Sequence, residues 1–172
     1  MKKAFTLVEL MVALAIIGSM AVIFVPFVAG ILSNTDKTQY LSAFRQIENV
    51  VTELINDSSI YTNGTLTDGN AADYDFCTNF LTKVNTIGTT NCTTSTVAGT
   101  PNFITSNGMR WYLFNQDFDA TAGIQTFTFQ VDINGVNKGS NTNGTDVLQI
   151  QVSENGRMTA PTGGNEEKYL VQ

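Results

Sequence analysis

The apolar residues of this chain fall into three successive patterns, each with its own period. From Phe5 to Leu32 almost every position is apolar, interrupted only by Thr6, Glu9, Gly18, Ser19, Pro26 and Gly30. A second pattern resumes at Tyr40, where Leu41, Phe44, Ile47, Val51, Leu54 and Ile55 are spaced by three and four. Arg45, Gln46, Glu48, Asn49, Thr52 and Glu53 occupy the opposite side, which is the pattern of a helix with one buried stripe. No proline or glycine falls between Ile31 and Asp57, so one helix is predicted from about Phe5 to Asn56. At 1.5 Å per residue its length would be on the order of 75 Å, with Pro26 expected to kink or locally melt it.

The last third of the chain changes to a period of two. Phe103-Ile104-Thr105 and Arg110 to Phe114 flank Asn107-Gly108, a strong hairpin signal. Phe127, Phe129, Val131 and Ile133 alternate with Thr126, Thr128, Gln130 and Asp132, and Leu148, Ile150 and Val152 with Gln149, Gln151 and Ser153. This predicts three to four antiparallel strands with one core face and one wet face. The stripe from Leu41 to Ile55 is the available cover for the core face, so the fold class is α+β: a long amino-terminal helix on a 3–4-stranded antiparallel sheet. Ser58 to Gly99, rich in Thr, Asn, Gly and Ser, is expected to be loop around one short helix from Asp73 to Val84.

The first run is long enough to cross a bilayer, and Leu10 to Phe27 carries no charge. Lys2 and Lys3 precede it and no cations follow directly, which places the amino terminus in the cytoplasm and everything after Leu32 outside. A cleaved secretory signal shares the basic start, but this run is long for a signal core and lacks a clean small-x-small cut site. A plain anchor is the second reading, and Glu9 argues against it. A carboxylate inside the apolar run costs about 3 kcal/mol on insertion scales, a cost a generic anchor has no reason to carry. The third reading is a segment that uses Glu9.

Lys2-Lys3-Ala4-Phe5-Thr6-Leu7-Val8-Glu9-Leu10 resembles the prepilin signal of the type IV pilin superfamily, which includes the pseudopilins of type II protein secretion. The resemblance implies that a membrane prepilin peptidase cuts between Ala4 and Phe5 on the cytoplasmic side. It also implies N-methylation of Phe5 and retention of the apolar helix. Glu9, Gly18 and Pro26 fall at positions the superfamily uses for assembly, whereas Ala4 stands where most members have glycine. The implied organisation is a leader at 1–4, a transmembrane and assembly helix at 5–32, its amphipathic continuation at 33–56 and a pilin-like globular head at 57–172. The implied function is a structural subunit of a type IV pilus-like filament (a fimbrium), with a type II secretion pseudopilin or a monomeric membrane-anchored periplasmic binding module as alternatives. Implied partners are copies of itself or sister subunits, the prepilin peptidase, an inner-membrane assembly platform and membrane lipid. The protomer would wait in the inner membrane and end in an extracellular or periplasmic filament.

Glu9 has a physical rationale in that scheme. A freshly cut terminal amine on Phe5 is a cation at a helix amino terminus, where the macrodipole disfavours it. Glu9 of a neighbouring, axially offset helix can meet that amine, and a pair about 4 Å apart gains about 4 kcal/mol at an effective dielectric near 20. Pairing then favours assembly and penalises misregister.

Cys77 and Cys92 are the only cysteines, and on the outer side of a membrane a disulfide between them is expected. A metal would need two further ligands at suitable spacing, and none is present. The stretch from Asp132 to Asp146 resembles an Asp-x-Asn-Gly…Gly-x-Asp strand connection of pilin-like sequences, some of which bind calcium there. Its spacing departs from the EF-hand pattern, so an Asx-turn loop without metal is expected, with calcium on Asp132, Asn134, Asn137 and Asp146 the alternative. The complete absence of histidine excludes Ser-His-Asp and Cys-His catalysis. Asp117 and Asp119 read as turn residues, Trp111 and Tyr112 as core and sheet surface, and the sequons at Asn56, Asn63, Asn91 and Asn143 as chance in an Asn- and Thr-rich chain. Lys+Arg 9 against Asp+Glu 15 gives a formal charge of -6, which opposes nucleic-acid binding and suits a soluble filament surface. No enzyme activity and no cofactor are expected.

Overall fold

The computed structural model describes residues 7–61, 63–66, 75–93, 95, 99–113, 118, 126–135 and 141–171, with side chains described outside 23–34 and 75. The chain divides into two compact units, Met1–Lys37 and Thr38–Gln172. The first helix, α1, covers Leu7–Ile55 and contributes to both. Its helical backbone is continuous across position 26, so Pro26 does not melt it.

Within the second unit the buried stripe of α1 is Tyr40, Ala43, Ile47, Val50, Val51 and Leu54. It is rotated slightly from the predicted stripe, because Leu41, Phe44 and Ile55 are only half-buried flanks. Two residues explain the rotation. Ala43 is small enough for close approach, and Tyr40 is drawn inward by its hydroxyl, which donates to the Gln149 carbonyl at 2.8 Å. The helix stops where polar side chains take over backbone partners. Asn56 Nδ2 donates to the Thr52 carbonyl, and Asp57 Oδ1 accepts from the Ser59 amide and hydroxyl in an Asx turn. A second helix, α2 (Asp75–Lys83), lies inside the predicted Asp73–Val84 and buries Phe76, Cys77 and Phe80.

The sheet has six antiparallel strands in chain order: β1 (Thr86–Ile87), β2 (Phe103–Thr105), β3 (Arg110–Leu113), β4 (Thr126–Asp132), β5 (Val147–Ser153) and β6 (Met158–Thr159). The expected three to four strands are its interior. The additions, β1 and β6, are two-residue edge strands too short to show a period. A short helix, α3 (Asn165–Leu170), closes the chain and was not expected from the sequence.

The hairpins β2–β3 and β5–β6 are built alike. Gly108 N donates to the Thr105 carbonyl at 2.8 Å and Gly156 N to Ser153 at 2.8 Å, while Thr105 N and Ser153 N reach Met109 and Arg157 at 3.0 and 2.9 Å. In both, the asparagine Oδ1 accepts from the first strand's hydroxyl, at 2.5 Å from Thr105 and 2.6 Å from Ser153. Gly108 and Gly156 carry φ of 86° and 76°, the left-handed position of a three-residue loop with a bulge. The Asn-Gly signal therefore marked a real hairpin, in the three-residue rather than the two-residue form.

The core face of the sheet carries Phe103, Trp111, Leu113, Phe127, Phe129, Val131, Leu148, Ile150 and Val152, joined by the α1 stripe and by Phe76 and Phe80. Phe127 and Phe129 rings lie 4.7 Å apart, and Phe80 meets Phe129 at 5.0 Å. The other face corrects an expectation. Thr128, Gln130 and Asp132, predicted to be wet, are buried, as is Tyr112. β4 is a central strand, and Tyr112 and Gln149 flank Gln130 in register, so long side chains from both neighbours cover it.

Candidate functional site

In the first unit every described side chain from Leu7 to Val22 is exposed, around the whole circumference of the helix. Leu7, Leu10, Met11, Leu14, Ile17 and Met20 are all more than half exposed. A helix apolar on all sides has no stable place in water alone; it needs lipid or other protein. Glu9 is the only ionisable residue in this stretch and is exposed. Ser19 turns its hydroxyl back to the Ile16 carbonyl at 2.9 Å, which satisfies it without an outside partner. A Cβ at Gly18 would meet nothing within 4 Å, so the glycine leaves a flat place on an open surface. Among the described residues no helix is long and apolar enough to cross a membrane, and the described side chains of the expected span end at Val22. Ala4 and Phe5 lie outside the described residues, and so does the side chain of Pro26.

The second unit holds the other residues singled out by the sequence. Cys77 on α2 and Cys92 are joined in a disulfide, with Cα atoms 5.9 Å apart. The loop it closes is fastened again by Asn102, a residue that no local pattern singles out. Asn102 is fully buried, and its Nδ2 donates to the Asn91 carbonyl, to Asn91 Oδ1 and to the Thr93 carbonyl. Its Oδ1 accepts from the Leu113 amide at 2.9 Å. A single amide therefore ties the loop segment around Cys92 to the β2–β3 hairpin.

The loop after β4 behaves as an Asx-type turn. Asp132 Oδ1 accepts from Gly135 N at 3.0 Å, and Asp146 Oδ1 from Thr142 N at 2.6 Å. Asn134 Nδ2 donates to Asp146 Oδ2 at 3.2 Å, so the structure brings Asp132, Asn134 and Asp146 together, while Asn137 lies outside the described residues. Asp132 Oδ2 and Asn134 Oδ1 are buried without a hydrogen bond. Burial, and then the charge of Asp146, raise the Asp132 carboxyl above its ordinary range. Among the described residues no group of three or more His, Cys, Asp or Glu could hold a metal ion. Asp117 and Asp119 lie outside the described residues. Trp111 is core, with its indole N–H donating to Thr105 Oγ1 at 3.1 Å, and Tyr112 is buried on the opposite face of the sheet.

A second buried polar site went unnoticed in the sequence. Glu166 on α3 is buried and its Oε1 accepts from the Gln149 amide at 3.2 Å. With the Tyr40 hydroxyl on the Gln149 carbonyl, two side chains satisfy the stretch of β5 that β6 does not pair. Burial, and then the Glu166 charge, hold the Tyr40 hydroxyl far above its usual titration range.

No curated protein and no solved structure matches this chain. Residues 1–25 match the family model described as the prokaryotic N-terminal methylation motif. That description names a signal and a structural segment rather than an enzyme family. The match ends inside α1 and includes Ala4, Phe5, Glu9 and Gly18. The chain thus carries, at its amino terminus, the prepilin motif of type IV pilins and pseudopilins.

Proposed function

We propose that this chain is a structural subunit of a type IV pilus-like filament. It is stored as a single-pass inner-membrane protein with residues 1–4 in the cytoplasm. It is cut between Ala4 and Phe5 by the prepilin peptidase, methylated on Phe5 and drawn into the filament through the helix that follows. One observation carries this reading: a helix whose described surface from Leu7 to Val22 is apolar all round, broken only by Glu9 and by Ser19, whose hydroxyl is satisfied within the helix. Lipid satisfies the apolar side chains but not the carboxylate, and a bundle of sister helices can satisfy both. Gly18 suits such a bundle because a missing side chain lets helices approach closely. The head supplies an acidic, disulfide-fastened shell consistent with an exterior surface.

Mass spectrometry of the chain recovered from cells tests the processing step. The expected product begins at Phe5 and carries one methyl group on its amine. A chain that still begins with Met1-Lys2-Lys3 in the assembled or membrane fraction would contradict the reading.

A further inference from the structure

The chain contains five Asn-Gly pairs, at Asn63, Asn107, Asn134, Asn143 and Asn155, all within the described residues. Such a pair is a latent reactive site, because glycine offers no side chain to hinder its own amide nitrogen. That nitrogen can lose its proton to water or hydroxide and attack the Cγ of the preceding asparagine. A new C–N bond closes a five-membered imide while Nδ2 leaves as ammonia. Water then opens the imide at either carbonyl, giving an aspartyl or an isoaspartyl residue. No electrons are transferred, and water is the only co-reactant.

The fold restrains four of the five pairs, and it does so at both reacting atoms or at the nucleophile. Gly108 N and Gly156 N are held at 2.8 Å inside their hairpins. The amides of Asn107 and Asn155 are pinned as well, each Oδ1 accepting from a hydroxyl and from a backbone N–H. Gly135 is buried, its N donates to Asp132 Oδ1 at 3.0 Å, and Asn134 Nδ2, the leaving group, is held by Asp146. Gly144 N donates to the Val147 carbonyl at 2.8 Å, and Asn143 forms a bridge with Val147. An amide N–H engaged in a good hydrogen bond is harder to deprotonate, and a pinned side chain cannot rotate into line for attack.

Asn63-Gly64 differs. Both residues are exposed, the Gly64 amide reaches the Tyr61 carbonyl at only 3.3 Å, and no side-chain bond of Asn63 is present among the described residues. The pair sits between two anchors, Tyr61 and Leu66, whose side chains are in the core, with Leu66 N fastened to the Glu154 carbonyl at 2.7 Å. We propose that Asn63-Gly64 is the site of spontaneous deamidation in the folded chain. The change adds one negative charge to an already acidic surface. In its isoaspartyl form it also inserts an extra backbone carbon between the two anchors, so it marks the age of a subunit that is no longer exchanged.

The test is incubation of the detergent-solubilised full chain in mildly alkaline buffer, followed by peptide mapping for the mass gain and for isoaspartate. In the folded chain, conversion at Asn63 is expected to be about tenfold or more faster than at the other four pairs. In urea with the disulfide reduced, all five are expected to converge, which shows that the fold sets the difference. Asn63→Gln should abolish the early acidic product. Equal or faster conversion at Asn107, Asn134, Asn143 or Asn155 in the folded chain would overturn the proposal, as would an intact Asn63 when the unfolded chain deamidates.

Discussion

Asp132 shows how one side chain can be structurally employed and still electrostatically unsettled. Its Oδ1 shapes the turn by accepting from Gly135 N, while Oδ2 is buried with nothing to bond. Because burial and Asp146 raise its folded pKa, the folded chain binds this proton more tightly than the unfolded chain does. The associated stability is complete below the ordinary carboxyl pKa, about 4, and is lost as pH rises through the raised folded value. Asp132→Asn keeps an oxygen for Gly135 N and removes the charge. Urea unfolding as a function of pH should then show a shallower loss of stability above about pH 4, with equal or greater stability near neutrality. An unchanged pH profile would show that Asp132 does not titrate between the two states. At this scale the sequence was legible only in part. The Asp, Asn and Gly of the loop announced an Asx turn by type and spacing. The roles of Asn102 and Glu166 depend on partners brought in by folding, and neither lies in any local pattern.

The strength of the periodic signal decided how well each element could be read. The helix from Leu7 to Ile55 and the seven-residue strands β4 and β5 repeat their period several times, and they lie where the pattern put them. Edge strands of two residues contain no period at all. The Asn155-Gly156 pair, a copy of the Asn107-Gly108 signal, could have revealed the β5–β6 hairpin. The wet face assigned to β4 failed for another reason: alternation reports which residues face the core, not what long neighbours cover on the reverse. Glycine requirements at this scale can be separated by substitution. Gly144 has φ of 79° and open space around a new Cβ, so Gly144→Ala should cost about 1–2 kcal/mol from backbone strain alone. Gly135 has φ of 71°, and a Cβ there would sit 2.5 Å from the Gly108 carbonyl oxygen, a backbone atom that cannot swing aside. Gly135→Ala should therefore cost about 1–3 kcal/mol more than Gly144→Ala. Thermal melts of the two variants check the order, and equal melting temperatures would show that the two turns do not press together.

At the scale of the whole molecule, the chain divides into two compact units, Met1–Lys37 and Thr38–Gln172. The division follows from where apolar side chains are satisfied. In Thr38–Gln172 the core is built from α1, α2 and the sheet of the same chain. From Leu7 to Val22 the described apolar side chains stay exposed, and the proposed filament would supply their partners. In the proposed filament Glu9 would convert that general need into a specific one, because a carboxylate in a dry helix bundle is tolerated only with a cationic or hydrogen-bonding answer. The most direct measurement compares Glu9→Ala with the unaltered chain in the same cells, scoring membrane-bound protomer and sheared filament separately. The account predicts protomer retained in the membrane at its normal level, with filaments absent or strongly reduced. Filaments in normal amount and length from the Glu9→Ala chain would contradict it.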